Sequence, residues 1–225
     1  MRTVRVSHPT KIIKTVIDLP ASKSISNRAL ILQAISENKI ALENISAADD
    51  TLIMKNSLSQ KSGTVNVKNA GTCMRFLTGY FASTNCEIEL QCDDRMKLRP
   101  IKILVDALRI LGADISYLNE EGFPPLIIKG KQLDGGKIKM DASVSSQFIS
   151  ALMLVAPTFK NGLEIELAGE ISSHSYIKMT EKLMKNFGFD CSFFQNKITV
   201  KNQPIIYSTN NLFNRTRLEF GFLLV

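Results

Sequence analysis

Four stretches of the chain put small polar and basic side chains where a helix begins. They are Ser22-Lys23-Ser24-Ile25-Ser26-Asn27-Arg28, Asn69-Ala70-Gly71-Thr72-Cys73-Met74-Arg75, Ser143-Val144-Ser145-Ser146-Gln147 and Ser172-Ser173-His174-Ser175-Tyr176. An apolar run of helical length follows each. A helix N-terminus carries free N–H groups and partial positive charge, so it attracts anions. One such start is ordinary capping. Four, with Lys23, Arg28 and Arg75 among them, imply a surface that holds a phosphorylated or carboxylated ligand.

The side chains differ in what they offer. Lys23 supplies a mobile point charge, Ser24 a hydroxyl and Arg28 a planar fork that fits phosphate or carboxylate. Gly71 would let a ligand approach the backbone, between Asn69 and Arg75. Ser145, Ser146 and Gln147 offer two hydroxyls and an amide, suited to phosphate and to sugar-like hydroxyls. Residues 93–100 read as a dense charged loop from which Arg95 could clamp an anion. Taken singly, each stretch also reads as a capped helix start or a solvated charged face. His174 has no Cys or carboxylate beside it in sequence and reads as a surface histidine. No Ser-His-Asp or paired-carboxylate arrangement follows from spacing.

Apolar periodicity, Gly and Pro set the elements that must position these residues. Helices are expected over 27–36, from an Asp49-Asp50 cap to 58 with Gly63 as its break, over 71–81, from Pro100 to 111, over 145–155 and over 173–187. Strands are expected at 3–6, 14–19, 40–45, around Val65 and Val67, and at 87–91, 114–118, 126–129, 137–140, 163–167, 191–194 and 197–201. An echo runs through this order. Residues 108–117 and 184–193 share one pattern: an apolar helix end, Gly, a residue, Asp, then a strand, with a second strand after it. A weaker third copy lies around Leu58, Gly63 and Val65. Repeated helix–strand units imply internal pseudo-symmetry within one α/β domain.

The 225 residues suffice for one large domain or two small ones. The net charge of +7 favours acidic partners, but the basic residues are scattered rather than gathered into a nucleic-acid-binding stripe. Cys73, Cys86, Cys92 and Cys191 form no C-x-x-C pair, and His8 and His174 are far apart, which argues against zinc. Cys73 and Cys191 sit in apolar contexts and read as buried thiols, in keeping with a reducing cytoplasm. The N-terminus lacks a signal-peptide apolar core. The most apolar stretch, 148–159, is interrupted by Ser150 and Pro157 and is too short to span a bilayer.

In this order the motifs are specific. Pro20-Ala-Ser-Lys-Ser-Ile-Ser-Asn-Arg28, Asn69-Ala-Gly-Thr-Cys-Met-Arg75, Asp94-Arg-Met-Lys-Leu-Arg-Pro-Ile101, Val144-Ser-Ser-Gln-Phe148 and Gly169-Glu170 with Ser173-x-x-Tyr176 resemble the 5-enolpyruvylshikimate-3-phosphate synthase family. The resemblance runs from about Leu19 to Lys201 and covers roughly the first half of the family's length. It implies one of two similar α/β domains, each of three βαβαββ units, that close on substrates between them. It also implies transfer of the enolpyruvyl group of phosphoenolpyruvate to the 5-hydroxyl of shikimate-3-phosphate, with no metal or organic cofactor.

By the same resemblance, Lys23, Ser24 and Arg28 hold shikimate-3-phosphate, and Lys23 also faces phosphoenolpyruvate. Ser145, Ser146, Gln147 and Ser173 hold its phosphate and ring hydroxyls, and Tyr176 lines that pocket. Asn69, Gly71, Arg75 and Arg95 surround phosphoenolpyruvate. Residues 20–204 form the substrate-binding domain, and residues 1–19 pack with a second domain beyond this chain. That domain supplies the acidic proton-transfer residue, so no catalytic residue falls here and no turnover is expected of the chain alone. Phe76 departs from the family pattern, in which many members carry Pro. The 205–225 tail lies outside the resemblance and reads equally as a terminal strand or a frame-shifted end. Two other readings stand beside this one: a relative of the transferase that acts on UDP-N-acetylglucosamine, and a non-enzymatic module for anions or nucleic acid.

Overall fold

The structure, a computed structural model, describes residues 20–203 apart from 38, 39, 142, 144 and 172. The expected strands at 3–6 and 14–19, the 205–225 tail, and Val144 and Ser172 of the motifs lie outside the described residues. Seven α-helices and eight strands are described: α1 (Lys23–Ile35), α2 (Asp49–Ser57), β1 (Ser62–Asn66), α3 (Gly71–Ala82), β2 (Cys86–Gln91), α4 (Asp94–Lys97), α5 (Lys102–Ile110), β3 (Asp114–Tyr117), β4 (Leu126–Gly130), β5 (Gly136–Asp141), α6 (Ser146–Val155), β6 (Leu163–Ala168), α7 (His174–Asn186), β7 (Cys191–Phe194) and β8 (Lys197–Val200). A 3-10 turn, Ala156–Thr158, holds Pro157 and closes α6.

Two four-stranded sheets carry the same topology, β1-β2-β4-β3 and β5-β6-β8-β7. In each, the first two strands are parallel and the last two form an antiparallel hairpin set against the second. A parallel pair needs a crossover helix, and α3 and α6 supply it. The units are therefore β1-α3-β2-α5-β3-β4 and β5-α6-β6-α7-β7-β8, with the single-turn α4 ahead of α5. The sequence echo is the helix-to-hairpin joint of each. Ala113 N–H donates to the Leu108 carbonyl at 2.9 Å, and Phe189 N–H to the Met184 carbonyl at 3.0 Å. Gly112 and Gly188, at φ 103° and 85°, take the left-handed turn that this helix ending requires.

The helices sort by how apolar they are. α3 and α6 are apolar nearly all round and buried along almost their whole lengths. They pack on each other, with α3 also against β2 and β4 and with α1 against α3, α6 and α7. α5 and α7 bury one stripe each: Leu104, Val105 and Leu108, and Ile177, Leu183 and Met184. The sheets turn alternate residues inward, Ile88 and Leu90 on β2 and Leu163, Ile165 and Leu167 on β6. Burial of Phe76, Phe81 or Phe159 contributes about 1.5–3 kcal/mol each. No helix among the described residues is long and apolar enough to cross a membrane.

Several expectations are corrected. α1 starts at Lys23 rather than Asn27, so the first motif is the helix's opening turn. Residues 40–45 form no strand: Asn44 sits at φ 52°, off the extended region, and the Ile40 carbonyl is taken by Gln33 Nε2 at 2.6 Å. Ala48 is the N-cap of α2, with Asp49 and Asp50 in the first turn against the helix dipole. Gly63 lies inside β1, not at a helix break. The segment around it is no third copy of the joint, because β1 pairs parallel to β2 and opens a unit. Pro100 precedes α5, whose N-cap is Ile101, and the expected charged loop contains the turn α4.

Candidate functional site

Arg28 is the hub. Its side chain is only 2% exposed. Nε donates to Thr180 Oγ1 of α7 at 2.8 Å, Nη2 to Ser150 Oγ of α6 at 3.2 Å and Nη1 to the Ser24 carbonyl at 2.8 Å. The guanidinium lies over the rings of Phe76 on α3, at 5.2 Å, and Tyr176 on α7, at 5.8 Å. All of these partners belong to the first two turns of their helices, so the starts of α1, α3, α6 and α7 meet here. Lys23 Nζ pairs with Asp50 Oδ2 of α2 at 2.9 Å, and the Asp50 carbonyl accepts from Cys73 Sγ of α3 at 3.0 Å. A fifth helix start thus joins the group.

Plain capping does not explain these starts. Ser22, Ala70 and Ser173 are the N-caps of α1, α3 and α7, and none gives a side-chain cap bond. Only Ser145 caps, accepting from Gln147 N–H at 3.3 Å. At three converging helices the N-cap side chain therefore leaves the first-turn amides uncapped. No carboxylate pairs with Arg28 among the described residues. Burial lowers its pKa to about 10, so it stays charged at neutral pH as a cation paired only with hydroxyls and a carbonyl.

Arg75 is also buried, at 4% exposure. Its Nη1 donates to the Gly71 carbonyl at 3.0 Å and its Nη2 to the Pro100 carbonyl at 3.4 Å, and among the described residues Nε has no hydrogen-bond partner. Phe148 of α6 lies under its guanidinium at 5.7 Å. The open face of Gly71 is occupied by the Arg99 guanidinium, into which a Cβ would collide. Burial and then the Arg99 charge lower the Arg75 pKa to about 10. Cys73, at the same helix start, is pushed up to about 12, chiefly by burial and then by Asp50, and remains a neutral thiol.

The other sequence candidates are distributed around this hub. Ser146 is buried at the start of α6, Ser145 is exposed, and Gln147 and Ser173 are half-buried. Asn69 Nδ2 donates to Asp93 Oδ2 at 3.0 Å, which fixes the approach to α4. Arg95 is exposed on α4 and no hydrogen bond ties it to Arg28 or Arg75 among the described residues. Sequence reasoning did not single out Asp50, Phe76 as the floor of Arg28, Phe148, Thr180 or Arg99. Ser150 carried a signal, a hydroxyl inside an apolar run, that was legible only as an interruption. No three His, Cys, Asp or Glu side chains gather to hold a metal among the described residues. The four cysteines are free, with Cys73 and Cys191 buried as expected.

A family model described as EPSP synthase (3-phosphoshikimate 1-carboxyvinyltransferase) matches residues 7–63 and 54–211. The chain belongs to this family. The match passes the resemblance read from the motifs at both ends and enters the 205–225 tail. A 3-phosphoshikimate 1-carboxyvinyltransferase of Bacteroides fragilis is 49% identical over 193 residues, covering 85% of this chain and 47% of that protein. One of Haemophilus influenzae is 40% identical over 232 residues, covering 90% and 54%. The fold matches an EPSP synthase structure of Acinetobacter baumannii with a TM-score of 0.68 at 21% identity, over 82% of this chain and 46% of that one. The chain spans about half the length of the curated relatives it matches. The Phe76 ring has a physical role here: it is the floor on which the Arg28 guanidinium rests.

Proposed function

We propose that the chain is the part of an EPSP synthase that gathers the two anionic substrates of enolpyruvyl transfer. Shikimate-3-phosphate would lie on Lys23, Ser24, Arg28, Ser145, Ser146, Gln147, Ser173 and Tyr176. Phosphoenolpyruvate would lie beside it on Lys23, Asn69, Gly71, Arg75 and Arg95. One observation carries the reading: Arg28, buried and without a carboxylate among the described residues, sits where four helix starts meet, three of them with no cap bond from the N-cap side chain. Such a cation is stabilised when a dianion arrives, since the ligand replaces lost hydration with a charge-assisted pair.

The hydroxyls and amide of α6 and α7 suit the ring and phosphate of the sugar-like acceptor. The guanidinium groups near α3 suit the smaller, denser anion, and the net charge of +7 raises the encounter rate for both. The reaction would join the acceptor's 5-hydroxyl oxygen to the enol carbon of phosphoenolpyruvate and release inorganic phosphate. Proton transfer would fall to residues in the length of the relatives that this chain does not span, in a reducing cytoplasm.

Calorimetry of the 225-residue chain with shikimate-3-phosphate tests the reading. Weak, saturable binding and no turnover are expected. No binding at millimolar concentration would overturn the substrate assignment, and turnover by the chain alone would overturn the division of labour.

A further inference from the structure

Arg75 and Arg99 form a pair of like charges. Their Nη1 atoms lie 3.7 Å and 3.8 Å from the same sulfur, Met96 Sδ. Both also crowd the point that a Cβ on Gly71 would occupy, the Arg75 atom at 2.9 Å. Two guanidinium groups held this close repel each other unless a negative charge lies between them. Among the described residues none does. Asp93 accepts from Asn69 Nδ2, and Asp94 pairs with Lys97 Nζ at 2.9 Å. Arg75 is the buried member, and its Nε is without a hydrogen-bond partner among the described residues. Arg99 is the exposed member, reachable from solvent. Gly71 opens α3, whose first turn has no side-chain cap.

We propose that Arg99 is a second guanidinium ligand, beside Arg75, for the phosphate group of the smaller substrate. Met96 and the bare face of Gly71 bring the two forks together over the start of α3, and a tetrahedral dianion is the group that satisfies both. The inference deepens the proposed function and rests on it for the identity of the phosphorylated compound, but the anion site itself stands on the arginine pair. Arg99 has no part in the Arg28 hub, so its role is separable from the binding of shikimate-3-phosphate.

Side-chain Nε–H NMR of the 225-residue chain, together with calorimetry, tests this with inorganic phosphate, phosphoenolpyruvate, pyruvate and shikimate-3-phosphate as probes. Phosphate and phosphoenolpyruvate are expected to shift the Arg75 and Arg99 signals together. Arg99→Gln is expected to weaken phosphoenolpyruvate by about tenfold, with Arg99→Lys in between and shikimate-3-phosphate within about twofold of the unaltered chain. Arg99 is exposed, and among the described residues its side chain bonds only to the Met96 sulfur, so its replacement is expected to leave the fold intact. Equal phosphoenolpyruvate affinity in Arg99→Gln, or a response to pyruvate with none to phosphate, would overturn the inference while the proposed function stands. A shift of Arg99 by phosphate in a chain that does not bind shikimate-3-phosphate would support the anion site and sink the substrate assignment. If no probe moves Arg99, the inference fails.

Discussion

The two sheet units share one topology and differ in what they place at the start of their crossover helix. Five residues past its N-cap, from Ala70 to Arg75, the first unit carries a guanidinium; at the same step, from Ser145 to Ser150, the second carries a hydroxyl. The first unit presents charge, through Arg75 and Arg99. The second presents hydroxyls and an amide, through Ser145, Ser146, Gln147, Ser150 and Thr180. One topology thus carries two chemistries, guanidinium groups in the first unit and hydroxyls with an amide in the second, which the proposed function assigns to the smaller anion and to the ring-bearing acceptor. Each unit also supports the other's neighbour: Phe76 of the first lies under Arg28, and Phe148 of the second lies under Arg75.

The largest effects should come from those two floors. Phe76→Ala is expected to cost about 3–5 kcal/mol in urea unfolding, through a core cavity and the loss of the ring under Arg28. Phe148→Ala should cost less, about 3 kcal/mol, because Phe148 is slightly less buried. Calorimetry separates them further: the first should weaken shikimate-3-phosphate more, the second phosphoenolpyruvate. The reverse order would break the division between the units.

Arg28→Met comes next. It should weaken shikimate-3-phosphate by roughly 100-fold, about 2.7 kcal/mol, yet hold or raise the unfolding midpoint. An apolar side chain suits a site that burial makes costly for an uncompensated cation, and Ser150 and Thr180 still bond each other at 3.0 Å. A large loss of stability would show that Arg28 is structural first.

The ties from helix to hairpin differ in sign between the units, which a pH series exposes. In the first, Arg109 donates to the Ile115 carbonyl at 2.7 Å. In the second, Glu181 accepts from Phe193 N–H at 3.1 Å, Lys185 at 2.8 Å and Lys178 at 2.9 Å. Burial pushes the Glu181 carboxyl up, but Lys185, Lys178 and the Phe193 amide outweigh it and hold it below its ordinary 4.5. A lowered carboxyl stabilises the fold above the unfolded pKa, and that share is lost as pH falls through the folded value. Glu181→Gln should therefore cost about 1–2 kcal/mol at pH 7 and close to nothing once the carboxyl is protonated in acid. A gap that persists there would mean packing rather than charge.

The smallest effect is the cap. Ser145→Ala should cost about 1 kcal/mol, while Ser22→Ala and Ser173→Ala, whose hydroxyls give no cap bond, should cost a few tenths. Equal losses at all three would erase the distinction between α6 and the other starts.

Local signals made much of this legible. Gly112 and Gly188 marked matching helix ends because only a residue at ease with positive φ continues from that turn, and the hairpins followed from alternation. The 40–45 segment failed because alternation alone supplies no neighbouring strand, and the left-handed Asn44 ends the extended run. Among site residues, Arg28 and Arg75 announced themselves as cations at helix starts. Their burial, and the pairing of Lys23 with Asp50, depended on which helices came to lie alongside.

By itself, the order of residues determined the helix-to-hairpin joint that recurs at Gly112 and Gly188, the motifs at the helix openings to within a turn, and the family, because caps, turns and periodicity act over a few residues. Only the tertiary structure decided that five helix starts meet, that Arg28 reaches Thr180 across 152 positions of chain, and that Arg75 and Arg99 face one another with no counter-charge among the described residues. Contacts of that range are fixed when α3 and α6 bury their apolar surfaces against each other and the elements around them. That burial is non-directional and collective, so it cannot be read from any one stretch of the chain.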